Sequence, residues 1–253
     1  MTTPRPVRLA ATVALGAATA QALPMITSAR PLRSALWPEF SGRALGARTG
    51  RTRHVALTFD DGPDPASTPL FLEVLATTGT KATFFLLGSM LERAPDLGRR
   101  IVEEGHEVAV HGWAHRAHIA RSPQGTFRDL AKARDLVAAV TGATPHFYRP
   151  PYGVTTAMTL AASRRLGMRP VLWTAWGRDW TAKATPDSVF RTVTGTLRGG
   201  GTILLHDSDC TAAPESWRST LGALPRLLEH CADKGWPVGP LREHGLRASE
   251  LSA

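Results

Sequence analysis

With 253 residues, 43% of them hydrophobic, the chain can bury a substantial core and fits one α/β barrel or two small domains. A formal net charge of +9 invites anionic surroundings such as nucleic acid, lipid headgroups or an acidic cell wall. The basic residues are mostly arginines scattered singly, with no dense run and no finger or RNP signature; this speaks against nucleic acid and leaves a wall polymer, or compositional bias, as the meaning of the charge.

The chain opens on "MTTPRPVR", with two arginines and no acid, followed by eighteen uncharged residues, "LAATVALGAATAQALPMI". Residues 1–26 thus have the outline of a secretory leader, and "AQA" at Ala20 to Ala22 suits a small-residue cleavage site. Thr, Gln and Pro make this stretch a poor membrane span, so an uncleaved anchor ranks second. Either way the protein is expected to be exported, secreted or held at the cell surface. Residues 27–53, rich in Arg, Gly and Ser without a sustained period, read as a linker or irregular segment.

From His54 onward short β-like runs alternate with helix-like segments. "HVALTF" precedes "STPLFLEVLATTG"; "KATFFLL" precedes "SMLERAPDLGRRIVEEG"; "HEVAVH" precedes "QGTFRDLAKARDLVAAVTG". The rhythm continues through "TTAMTLAASRRLG", "PVLWTAW", "TPDSVFRTVTGTLRGG", "TILLHD" and "WRSTLGALPRLLEHCADKG". Ser67 or Thr68 is suited to cap a helix start, and Gly79, Gly105, Gly142 and Gly167 suit the left-handed residue at helix ends. Nearly continuous apolar strands separated by helices predict an α/β fold with a parallel sheet, open or closed, as one domain over 54–240 with a C-terminal tail over 241–253. Cys210 and Cys231 either pair in an oxidising compartment or act as small buried hydrophobes.

In such a sheet the functional groups gather where strands end. Asp60 and Asp61 follow "VALTF", His111 follows "EVAV", Arg149 precedes "PPYG", Asp179 follows "LWTAWGR" and His206 follows "ILL". Two adjacent carboxylates repel and need a cation or a hydrogen-bonding partner nearby. "HGWAHRAH" offers His111, His115 and His118 at offsets of four and three, which share a face if the segment is helical. Two imidazoles and a carboxylate are a common set for catalytic zinc, with cobalt or nickel also suited; an open position then takes a water of lowered pKa, and the other aspartate can accept its proton. Each half is weak alone, since Asp-Asp before Gly-Pro is commonly a solvated turn and His-x-x-x-His recurs by chance. Their joint occurrence at successive strand ends is what carries the reading.

On these residues the chain resembles the polysaccharide deacetylases of carbohydrate esterase family 4, from about His54 to about Trp236. "TFDDGP" matches the first motif of that family and implies Asp60 as general base and Asp61 as metal ligand. "HGWAH" matches the second and implies His111 and His115 as the other ligands, with Gly112 where a hydroxyl residue is usual. "RPPYG" implies that Arg149 orients the base and that the Tyr152 amide helps hold the oxyanion. "GRDW" keeps half of an Asp-x-x-Asp-Trp pattern, with Trp176 where the first acid would stand; it implies Asp179 as partner of the catalytic histidine and Trp180 as a wall of the acetyl pocket. "LLH" implies His206 as general acid, while His118 has no family role.

The resemblance implies a distorted (β/α) barrel with fewer than eight parallel strands, a divalent metal and hydrolysis of N-acetyl groups from an N-acetylglucosamine-containing polysaccharide. An O-acetyl esterase on xylan or another polymer, and a non-catalytic module whose metal braces a wall-binding surface, are the alternatives. Trp113, Trp173, Trp176 and Trp180 can stack on sugar rings; Trp173 is expected in the core and Trp113 against substrate. The expected partner is the polysaccharide, in an anionic wall, with the chain acting as a monomer.

Overall fold

Side chains of a strand alternate between its two faces, and this rule sorts the core of the molecule into two parts. The computed structural model describes residues 53–245. The expected leader, and all but the last residue of the expected linker, lie outside the described residues. In strand β1 (Val55–Asp60), Val55, Leu57 and Phe59 join the large cluster under the helices, while Ala56 joins a second, inner cluster with Phe85, Ala109, Phe147, Val171 and Leu241. Thr58 and Asp60 follow Ala56 by twos and so share its inner face.

The other strands are β2 (Thr83–Leu86), β3 (Glu107–Val110), β4 (Phe147–Tyr148), β5 (Arg169–Pro170), β6 (Ala175–Trp176), β7 (Thr202–His206) and β8 (Val238–Gly239). Seven of them form one curled parallel sheet in the order β5-β4-β3-β2-β1-β7-β6, and β8 adds to the start of β1. This is the distorted barrel of fewer than eight strands that the resemblance implied. It stays open between β5 and β6, where "PVLWTAW" was expected as a single strand. At this gap Arg149 donates from Nε to the Val171 carbonyl (3.2 Å) and from Nη2 to the Leu172 carbonyl (3.1 Å), so a side chain satisfies these two backbone acceptors.

Among the described residues seven α-helices cover the sheet: α1 (Thr68–Thr77), α2 (Gly88–Arg93), α3 (Pro95–Glu103), α4 (Pro123–Thr141), α5 (Ala157–Arg165), α6 (Pro186–Thr196) and α7 (Trp217–Asp233). The expected helix over 89–105 is broken into α2 and α3 because Pro95 forces Ala94 out of helical geometry (φ −133°). Gly79, Gly105, Gly142 and Gly167 all adopt positive φ near helix ends, as expected. Ser67 stands before α1 but makes no side-chain cap; its hydroxyl instead donates to the Asp207 carbonyl. Cys210 and Cys231 are free thiols. Leu241 and His244 are fully buried, so the folded body runs past residue 240.

Candidate active site

The inner face of β1 and its neighbours ends in a cleft of about 220 Å³. Asp60 and His206 are register partners on adjacent strands, so the alternation that turns one inward turns both. Asp61 would by that rule point outward, but its backbone is left-handed (φ 80°), a conformation open to aspartate more than to most residues, and its carboxylate also enters the cleft. Gly62 follows because a Cβ there would lie 2.3 Å from Asp207 Oδ2.

His111 leaves β3 with Nδ1–H donated to the Arg149 carbonyl (2.8 Å), which assigns the lone pair to Nε2. That nitrogen lies 3.4 Å from Asp61 Oδ1 and 3.6 Å from Asp60 Oδ2; His115 Nε2 lies 3.6 Å from the same Asp61 oxygen. Ligand atoms of Asp61, His111 and His115 fall within 4.8 Å of one another, as a cation site requires. Asp61 Oδ1 is buried without a hydrogen-bond partner among the described residues, while Oδ2 accepts from the Thr211 hydroxyl (2.7 Å). Burial pushes the His111 pKa down to about 3 against the pull of Asp61, and burial lowers His115 as well, so both rings are neutral donors.

Segment 111–118 is not helical. Gly112 (φ +92°) turns the chain out of the strand, so His115 reaches the cluster from a loop. His118 does not join it and pairs with Asp129 instead (3.1 Å).

Arg149 is fully buried and grips Asp60: Nη1 donates to Asp60 Oδ1 (2.6 Å) and to Thr58 Oγ1 (2.8 Å). Burial nevertheless raises the Asp60 pKa, with the Arg149 charge opposing, an environment in which a carboxylate can act as a proton acceptor. Asp179 holds His206 at two points, accepting from ring Nδ1 (2.9 Å) and backbone N (2.8 Å), and is itself steadied by the Thr220 hydroxyl (2.7 Å). Burial opposes a charged His206, but the Asp179 charge and hydrogen bond, with Asp61 and Asp60 beyond, outweigh it and raise its pKa.

Tyr152 stands 64% exposed at the rim with φ 59°, its ring edge-on to His115 at 4.2 Å. Across from it Trp173, Trp176 and Trp180 line the cleft, with ring centroids 6.1 and 5.1 Å apart in sequence, and Trp180 meets His206 edge-on. Trp173, expected in the core, is thus a wall. Trp113, expected against substrate, lies outside the cleft lining: it packs where Gly88 has no side chain, and the Lys132 ammonium sits 3.1 Å from its ring centroid.

Three contributors escaped the sequence reading. Thr211 gave no signal, being one hydroxyl in an irregular loop. Asp129 and Thr220 did give one, because each interrupts a buried helical stripe, Thr126-Asp129-Leu130-Ala133-Val137 and Trp217-Thr220-Ala223-Leu224-Leu227.

An incomplete α/β barrel whose strand ends gather an Asp-His-His cluster, an arginine-held carboxylate and an Asp-braced histidine defines a hydrolase of the deacetylase type. A polysaccharide deacetylase family model matches residues 47–171. The chain is 37% identical over 213 residues to a chitooligosaccharide deacetylase of Bradyrhizobium sp. (strain ANU 289), covering 81% of this chain and 96% of that one. It is 35% identical over 161 residues to the peptidoglycan-N-acetylglucosamine deacetylase PgdA of Listeria monocytogenes serotype 1/2a (strain 10403S), covering 64% of this chain and 34% of that one. The solved structure of the Bc1960 peptidoglycan N-acetylglucosamine deacetylase superposes with a TM-score of 0.72 at 28% identity, covering 78% of this chain and 90% of that one. The chain belongs to the polysaccharide deacetylase family.

Proposed function

We propose that this protein is a metal-dependent deacetylase that removes N-acetyl groups from an N-acetylglucosamine-containing polysaccharide of the peptidoglycan or chitin type. The observation that carries the reading is the convergence of Asp61, His111 and His115 within 4.8 Å, with Asp60 and His206 beside them. The relatives named as chitooligosaccharide and peptidoglycan deacetylases support the substrate class.

The donor set fits a divalent cation, because an unpartnered buried carboxylate oxygen faces two neutral imidazoles. Zn²⁺ suits it best, with Co²⁺ or Ni²⁺ acceptable to the same donors. When bound, such a cation supplies Lewis acidity toward water and toward an acyl oxygen. The protein's own groups do the rest. Asp60, with Oδ1 locked by Arg149, accepts the proton of the attacking water at Oδ2. The Tyr152 amide steadies the charge that grows on the acyl oxygen. His206, protonated under the influence of Asp179, gives its proton to the nitrogen as the carbon–nitrogen bond breaks, so that acetate and a free amine leave. That protonated histidine favours the amide over an O-acetyl ester, since an amine departs poorly without a proton and an alcohol departs more readily. The aromatic wall of Trp173, Trp176 and Trp180 offers faces to sugar rings.

Acetate release from chitin oligomers and peptidoglycan should exceed release from acetylated xylan, stop on chelation and return with added divalent ion. Asp60→Asn and His206→Ala should each lower it by about 10²- to 10⁴-fold. Zinc-loaded protein that releases no acetate from any of these polymers would defeat the proposal in favour of a wall-binding module. Export to the cell surface, action as a monomer on a wall polymer and the absence of a nucleic-acid partner complete the reading; cell fractionation and sizing of the purified chain test the first two.

A further inference from the structure

Asp129 is a carboxylate within the buried stripe of α4, flanked by Thr126, Leu130 and Ala133. A buried carboxylate is costly unless it is paired and hydrogen-bonded, so its partners say what it is for. All of them lie in the loop that carries His115. Oδ2 accepts from the Trp113 backbone amide (3.1 Å) and from His118 Nε2 (3.1 Å), and Oδ1 accepts from Arg121 Nη1 (2.7 Å). His118 is itself buried and lines no part of the cleft.

The loop has reason to be held. His111 is fixed by the end of β3 and by the Arg149 carbonyl. His115 belongs to no helix or strand, and its Nδ1 is buried with no hydrogen-bond partner among the described residues. Its ring rests against His111 (centroids 5.1 Å) and Tyr152 (4.2 Å), so its aim depends on where the backbone is placed. Trp113 is the point of purchase. Its carbonyl accepts from Ser89 N (2.8 Å) on one side, while its amide is taken by Asp129 on the other. Gly112 has no hydroxyl to add, and the space its Cβ would fill faces Asp129 Oδ2 at 3.6 Å and His118 Cε1 at 3.9 Å.

We infer that Asp129 and His118 are positioning residues for the metal centre, clamping loop 111–121 to α4 so that His115 keeps its direction toward Asp61. The inference rests on the reading of Asp61, His111 and His115 as that centre. Groups bonded to the ligands themselves typically govern metal affinity by about 10- to 100-fold, and Asp129 and His118 act on the same aim through the backbone of the ligand loop.

The test is the zinc affinity of the full chain, stripped of metal and titrated in competition with a chromophoric chelator, alongside the thermal midpoint of each metal-free form. Asp129→Asn keeps the shape but offers one acceptor oxygen to three donors; His118→Leu fills similar space with no hydrogen bond. Both should bind zinc about 10- to 100-fold more weakly than the wild type. Ser122→Ala, which removes the α4 cap (Gly125 N to Ser122 Oγ, 3.1 Å) without touching the loop, should lower the midpoint and leave affinity unchanged. Wild-type affinity in folded Asp129→Asn or His118→Leu, or an affinity loss in Ser122→Ala equal to theirs, would overturn the clamp alone. A wild-type chain that takes up no stoichiometric zinc would overturn the metal centre and the clamp with it.

Discussion

His206 shows how one residue's chemistry is set by its neighbour. A general acid works while protonated, so activity that depends on it is present below its pKa and is lost as pH rises through that value. Burial alone would lower the pKa, yet the Asp179 carboxylate 2.9 Å from Nδ1 raises it, which keeps the ring protonated at neutral pH, as the proposed acid role requires. Asp179→Asn should therefore move the alkaline limb of kcat/KM to lower pH by about 1–3 pH units, on top of a fall in its maximum. An alkaline limb that stays where the wild type has it would show that Asp179 does not set the acid. At this scale the sequence was most readable where a polar residue ends an apolar strand, as with Asp60, His111 and His206. It was least readable where the group comes from elsewhere, as with the Thr211 hydroxyl on Asp61 or Asp129 under the ligand loop.

Arg149 joins several elements at once, and its loss is felt at that scale. From the end of β4 it reaches Asp60 and Thr58 on β1, and the Val171 and Leu172 carbonyls between β5 and β6. Lysine has one nitrogen and no planar fork, so it cannot serve four acceptors in three directions. Arg149→Lys should lower kcat/KM by at least about 100-fold through Asp60, and stability by about 1–3 kcal/mol, the cost of leaving a buried acceptor unpaired while the charge is kept. Denaturant unfolding and acetate release measured on the same preparation check both figures; a variant as stable as the wild type would mean that the carbonyls find other donors. The segment that Arg149 meets also marks a limit of sequence periodicity. Seven residues of "PVLWTAW" look like one strand by composition, but only its ends pair, Pro170 with β4 and Ala175 and Trp176 with β7 at the opposite edge of the sheet, while Arg149 takes the Val171 and Leu172 carbonyls between them. The split of α2 from α3 was more accessible, because Pro95 announces it locally.

At the scale of the whole molecule, stability against pH is the sum of two opposed sets of buried groups, and the fold is what makes them opposed. Burial lowers His106 to about 4, with Lys81 nearby acting in the same sense, and its Nδ1 accepts from the Ala82 amide at 3.2 Å, a bond that protonation would break. Its folded pKa lies below the ordinary 6.5, so the stability it contributes is present above pH 6.5 and is lost as pH falls toward 4. His244, also lowered to about 4 by burial and by His54, behaves alike. Asp207 has the reverse sign: burial raises it from 3.8 to about 7, its Oδ1 has no partner among the described residues, and the stability tied to its proton is lost as pH rises between those values. A melt of the wild type alone sums these slopes, so two variants are needed, both metal-free so that ligand release does not enter. The advantage of the wild type over His106→Gln should be largest above pH 6.5 and shrink toward pH 4, by roughly 2–5 °C in Tm. Asp207→Asn should gain on the wild type as pH rises from about 4 to 7. Differences that run parallel in pH for the two variants would mean that the surroundings of His106 and of Asp207 admit water, and that burial does not set either charge.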